Sequence, residues 1–153
     1  MFSFLSSKEL IGHCLCKGVK VKIDRVSLTD KSNEILVCHC SNCQRAGGGL
    51  LSYEIILPDE KVTLIDDKSL ITRYDDTDTK SKNVVERYFC RQCGSPIYGK
   101  IPKNKPNITI VKLSLFTGEI DQLPCPTKEV FCAEMMKWEK KIDGAKHYDE
   151  GPE

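Results

Sequence analysis

Seven of the chain's nine cysteines fall into three short groups, and their spacing is that of metal ligands. Cys38, Cys40 and Cys43 occupy "VCHCSNCQR", Cys14 and Cys16 occupy "GHCLCKG", and Cys90 and Cys93 occupy "FCRQCGS". Thiols this close in sequence do not join one another in a disulfide without strain, but they chelate well. Zinc is the ion that this ligand type and spacing select. The competing use of many cysteines is a disulfide framework in a secreted domain. The odd count argues against it, and so does the opening "MFSFLSSKEL", whose apolar patch is short and has no basic leader. The expectation is a zinc protein with reduced thiols, in the cytoplasm and also in the nucleus.

Neither Cys14-x-Cys16 nor Cys90-x-x-Cys93 closes a tetrahedron alone, but together they supply four thiolates. Residues i and i+2 of an extended chain face the same side, so Cys14 and Cys16 suit one ion. The second pair needs a tight turn, and Gly94 suits the positive φ of such a turn. The resulting four-cysteine site is structural: it joins the start of the domain to its later part, and a crosslink over so long a loop removes freedom from the unfolded chain. Two unrelated knuckles or a redox-active CxxC are the alternatives.

Cys38, Cys40 and Cys43 are then left as a trio. A structural zinc takes four protein ligands, whereas a working one keeps a position open. His39 sits between two ligands and should point away from them, as support or a satisfied core group. His13 adjoins the other site, Cys125 sits in a "PCP" loop, and His147 lies in the tail. Cys132, within "VFCAEMM", reads as a small core residue. None has chelating spacing with the trio, so the site is read as open, and closure by one of these residues is the alternative.

Strands must carry these groups. "VKVKID" (19–24) alternates apolar and charged residues as a half-buried strand does. Further strands are predicted over 34–37, 50–57, 62–65, 70–74, 84–89, 97–101, 108–115 and 130–138, separated by turn chemistry such as "TDKSN" and "PKNKPN". One short helix follows the CxCxxC motif, with Ser41 as its N-cap and Gly47-Gly48-Gly49 as its end. The fold class is therefore mainly β: two packed antiparallel sheets around zinc-binding cysteine knuckles, with one short helix. At 153 residues, 40% hydrophobic and 29% charged, the chain suits one domain over 1–142, with 143–153 expected to fray. A net charge of +1 argues against nucleic acid as a partner, and no apolar run is long enough to cross a bilayer. No oligomeric state is readable.

Taken together, "GHCLCKGVKVKI", "VCHCSNCQRAGG" and "RYFCRQCGSPIYG" resemble the glutathione-dependent formaldehyde-activating enzyme family, which also includes proteins related to centromere protein V. The resemblance runs from Gly12 to Trp138. It implies a mainly β zinc-binding fold of two packed sheets, with a structural zinc on Cys14, Cys16, Cys90 and Cys93 and a substrate-linked zinc on Cys38, Cys40 and Cys43. Ligand parity leads to the same partition. The resemblance further implies carbon–sulfur lyase chemistry: reversible addition of a thiol, glutathione, to formaldehyde or a related small aldehyde, forming S-(hydroxymethyl)glutathione. The cysteines are then ligands rather than nucleophiles, and no residue is assigned as a direct acid or base. Three thiolates on one zinc carry a net charge of about −1, which asks for a nearby cation. Arg45 is the local candidate; Arg87, Arg91 and Lys17 are further donors to glutathione's carboxylates, with an ordinary surface charge or a counter-charge to the four-cysteine cluster as the alternative for each. The chain departs from the family where two basic residues often follow the trio, since it has Gln44-Arg45 there, and its glycine run is longer. A thiol-binding protein without rate gain, or a non-catalytic interaction module with both metals structural, are the rival functions.

Overall fold

A computed structural model describes residues 8–151. In chain order its elements are β1 (Glu9–His13), β2 (Lys20–Asp24), β3 (Glu34–Cys38), helix α1 (Ser41–Gly47), β4 (Ser52–Pro58), β5 (Val62–Ile65), β6 (Ile71–Asp76), β7 (Val85–Cys90), β8 (Pro96–Ile101), β9 (Lys105–Lys112), β10 (Lys128–Val130) and β11 (Lys146–His147). They form a three-stranded sheet, β1-β2-β5, and an eight-stranded sheet, β11-β10-β3-β4-β9-β8-β7-β6. The fold is mainly β with two sheets and one helix, as the patterning predicts. All pairings are antiparallel except β10 with β3 and β11 with β10.

The period of two divides the large sheet into two faces. In β4, Ile55 and Leu57 point to the side shared with Val21, Ile23, Val111, Leu113 and Phe116, all buried in the main core. Each such aliphatic side chain contributes about 1.5–3 kcal/mol when fully buried. Ile56 and Leu36 point to the opposite side, where a smaller cluster gathers Cys38, Cys43, Val130, Phe131 and Tyr148. A one-residue slip of β4 would exchange these sets, so burial on both faces pins the register Ile55 opposite Ile35 and Val111.

Three sequence expectations need correction. β1 was not predicted, because "ELIGH" is short and its glycine interrupts the apolar pattern. That glycine is required: a Cβ on Gly12 would lie 2.8 Å from Leu115 O and Phe116 Cδ1. The strand expected over 130–138 ends at Val130, where Phe131 turns the chain at φ 57° and residues 132–134 form a 3-10 turn. Its apolar residues divide accordingly, Cys132 buried and Met136 and Trp138 exposed. The tail expected to fray is instead docked as far as it is described. Tyr148 N donates to Glu129 O (2.9 Å) and Phe131 N to Glu150 O (3.0 Å), while Lys146 and His147 pair with β10. Backbone pairing of this kind leaves no apolar period to read. Residues 152 and 153 lie outside the described range.

Candidate metal centres and their cavity

Two turns at one end of the molecule carry the cysteine tetrad. Cys14 directly follows β1, and the turn there is held by Lys17 N donating to Cys14 O (2.9 Å) and Cys14 N to Val19 O (3.0 Å). Cys90 closes β7, and Gly94 N donates back to Cys90 O (2.7 Å) with Gly94 at φ 77°, the left-handed conformation the CxxCG spacing calls for. Leu15 N donates to Ser95 Oγ (3.0 Å), which ties one turn to the other. All four sulfurs lie within 4.8 Å of one another, with Cys14–Cys16 at 3.5 Å and Cys16–Cys90 at 3.7 Å. Tetrahedral zinc with 2.3 Å bonds places its sulfurs about 3.8 Å apart, so this group fits the ion.

The trio forms where β3 runs into α1. Cys38 is the last residue of β3 and Cys43 lies in the first turn of the helix. Cys40 rather than Ser41 is the N-cap: its backbone is extended and its sulfur accepts from Cys43 N at 3.3 Å. Gly48, at φ 67°, ends the helix as a left-handed cap. The three sulfurs again lie within 4.8 Å of one another. Hydrogen bonds from Cys38 and Cys43 hold the Cys40 thiol down at about 3, while sharing with Cys40 and Cys43, together with burial, pushes Cys38 up. Three thiols that must divide protons in this way form a donor set suited to a thiophilic cation, and the trio could hold a metal.

None of the side chains weighed as a fourth ligand is at the trio. His39, only 1% exposed, points away and donates from Nε2 to Glu129 Oε1 (3.0 Å). His13 meets Cys14 O and Glu119. His147 faces the other oxygen of Glu129 at 3.0 Å. Cys132 is buried with its sulfur toward Glu129 O, and Cys125 is exposed. Among the described residues, no other His, Cys, Asp or Glu joins the trio within 4.8 Å. In place of a fourth ligand there is space: Cys38, Cys40 and Cys43 line a cavity of about 610 Å³ over the second face of the large sheet. Its floor is every other residue of the strands, such as Ser52, Glu54 and Ile56 on β4 and Ile110 and Lys112 on β9.

The cations at the trio are not the one the sequence singled out. Arg45 is exposed and absent from the cavity lining. Helical geometry is the reason: two residues beyond Cys43 is about 200° around the axis, so if Cys43 faces the sheet Arg45 faces away. Arg91 and Lys17 are exposed too. Arg87, read from the sequence as a carboxylate donor, a surface charge or a counter-charge to the tetrad, reaches the trio instead, with Nη1 3.9 Å from Cys43 Sγ. Its Nε and Nη2 lie 2.8 and 2.7 Å from Asp76 Oδ2. Burial opposes the guanidinium charge, but Cys43 and Asp76 outweigh it and raise its pKa. Lys112 adds positive charge from β9, bound to Glu54 and, at 2.7 Å, to Ser52 Oγ. Lys112 and Glu54 were missed. The signal was a charged residue inside each of two apolar strands, "SYEIIL" and "ITIVKLSL", at central positions of the sheet.

Fold and site together define a mainly β domain with one closed cysteine tetrad and one cysteine trio open to a cavity. The family model described as "Glutathione-dependent formaldehyde-activating enzyme" matches residues 9–134, and the chain belongs to that family. Relatives from Talaromyces marneffei and Penicillium rubens each carry the name "Putative glutathione-dependent formaldehyde-activating enzyme". The first is 30% identical over 94 residues, 61% of this chain and 46% of the relative. The second is 32% identical over 85 residues, 54% of this chain and 42% of the relative. The matched stretch thus spans less than half the length of these relatives. A solved structure of a Rhodobacter sphaeroides protein shares the fold, with a TM-score of 0.54 and 19% identity over 75% of this chain and 98% of that one.

Proposed function

We propose that the trio's cavity is where a thiol, glutathione, adds reversibly to formaldehyde or a related small aldehyde. Across the reaction the S–H and C=O bonds become C–S and O–H: sulfur joins the carbonyl carbon, and the thiol's proton ends on the former carbonyl oxygen. The reverse direction is carbon–sulfur lyase chemistry. The carrying observation is the trio itself, three sulfurs without a fourth side-chain ligand among the described residues, facing a cavity. Zinc held by Cys38, Cys40 and Cys43 would supply a centre that favours the thiolate form of the substrate or polarises the aldehyde oxygen.

The chain's own residues set the conditions. Arg87 and Lys112 bring positive charge to the trio, which would carry about −1 with zinc bound, and this favours an incoming thiolate. Asp76 and Glu54 hold those cations in place. The segment between β6 and β7 closes one side of the cavity. Asn42 Nδ2 donates to Asp78 O (2.7 Å), and Lys80 pairs with Glu134 (2.8 Å). Glu134 also accepts from Ser41 N at 3.3 Å, so the closing segment is tied to the start of α1. Reduced thiols need a reducing compartment, so the cytoplasm is the proposed location.

Exchange NMR on glutathione and formaldehyde tests the proposal, because the uncatalysed addition is itself fast and only a gain over buffer counts. The chain is expected to accelerate exchange, Cys43→Ser to return it to the buffer rate, and Cys125→Ser to leave it unchanged. Thermal protection by glutathione without any acceleration would favour a binding protein. Neither effect, in protein carrying two tightly held zinc ions, would leave only a structural module.

A further inference from the structure

The cavity's sheet floor is bare at one point. β8 crosses it at Gly99, whose cross-strand neighbours are Arg87 on β7 and Ile110 on β9. Nothing in the backbone asks for glycine there, since the glycines in the left-handed region are Gly48, Gly94, Gly118 and Gly144. Nor does packing. A Cβ on Gly99 would meet only Glu86 O, at 3.5 Å, an ordinary contact and unlike the 2.8 Å collisions at Gly12. The register slips between Gly99 and Ile101, but a bulge that needs glycine places it at positive φ. A mid-strand glycine weakens its strand, and once turns and packing are set aside, close approach of a ligand remains.

Arg87 connects this gap to the sulfurs. Its backbone lies opposite Gly99, and its guanidinium is 3.9 Å from Cys43 Sγ. One arginine side chain therefore spans the distance from the bare floor to the trio. The floor around the gap is apolar on the β9 side, with Ile110 and then Ile56. Arg87 and Lys112, the cations nearest the trio, are already engaged by Asp76 and Glu54, while Lys105 lines the cavity from the opposite end of β9, beside Ile101. What fits such a place is a thin, flat and uncharged segment lying against strand backbone.

We propose that Gly99 is the floor of a subsite for the planar peptide portion of the thiol substrate, a reading that rests on the thiol chemistry assigned to the trio. An extended peptide unit is flat enough to lie over bare backbone while its sulfur end reaches Cys43. A methyl group at position 99 enters that space while meeting only Glu86 O, at 3.5 Å.

The test measures binding of S-methylglutathione to the full chain, since the blocked sulfur leaves the peptide portion to carry affinity, alongside glutathione–formaldehyde exchange. Gly99→Ala is expected to weaken binding about tenfold, and Gly99→Val to abolish it. Both should unfold at or above the wild-type temperature with zinc content unchanged. Full binding by Gly99→Val overturns the subsite, and if exchange is also retained the functional reading stands. A lowered unfolding temperature for Gly99→Ala overturns it too, because the glycine then serves packing. A wild-type chain that neither binds the probe nor accelerates exchange takes down the functional reading and the subsite together.

Discussion

The buried pair Arg87–Asp76 allows a test in which stability and activity part company. The two side chains are 17% and 9% exposed, and both Nε and Nη2 of Arg87 contact Asp76 Oδ2. Arg87→Met keeps the stem and removes the charge, leaving Asp76 with Asn42 Nδ2 at 3.0 and 3.2 Å as its side-chain donor. Stranding one member of a buried pair costs about 3–5 kcal/mol. Because Asn42 still donates, the lower end applies, about 3 kcal/mol. Asp76→Leu, which removes both acceptor oxygens, strands Arg87 with only the long contact to Cys43, so its cost is similar, about 3 kcal/mol. In the double variant neither charge is stranded, and the loss should fall short of the sum by about 2–3 kcal/mol. Urea unfolding followed by circular dichroism, at equal metal content, measures each corner of the cycle. Exchange activity should behave differently: the second substitution costs only about 0–1 kcal/mol beyond the first, yet it restores no rate, because the charge facing Cys43 is still missing. Losses that add to within about 0.5 kcal/mol would refute the pairing argument, and restored activity would refute the role given to Arg87's charge.

Three further outcomes can be measured. Cys90→Ser, at a sulfur 0% exposed in the tetrad, should lower the unfolding temperature and remove one zinc, whereas Cys43→Ser should remove the other with little loss of stability; the reverse pattern would exchange the two roles. Glu129→Ala leaves His39 Nε2 and Ile142 N without their buried acceptor, while His147 Nε2 keeps Ile142 O at 2.9 Å, at a cost of about 3 kcal/mol, and chelator competition should show the trio's zinc held about tenfold more weakly while the tetrad's is unaffected. Equal loosening of both ions would show a general loss of structure instead. With the trio free of metal, a Cys40 pKa of about 3 means that the thiolate persists as pH falls. Its alkylation by iodoacetamide should therefore stay flat between about pH 8 and pH 5, where a thiol of ordinary pKa, about 8.5, slows roughly tenfold per unit. A tenfold decline at Cys40 would contradict the sharing of protons within the trio.

The partition of the cysteines, the strands β2 to β9 and the helix after CxCxxC are all legible in the order of the residues. These are local matters. Ligand spacing acts over two or three residues, strand alternation over about six, and a glycine run ends the helix it follows. The same locality explains the errors. β1 exists because "ELIGH" finds β2 to pair with, and the tail stays in place because its backbone meets β10. Arg45 was chosen for its nearness to Cys43 along the chain, yet Arg87, 44 residues away, makes the contact. Only the register of β7 in the eight-stranded sheet, and the turn of α1 that carries Arg45 outward, decide which cation stands at the sulfurs. Cross-strand pairing brings charges together through space, where Coulomb attraction acts, and leaves no mark on the spacing of residues along the chain.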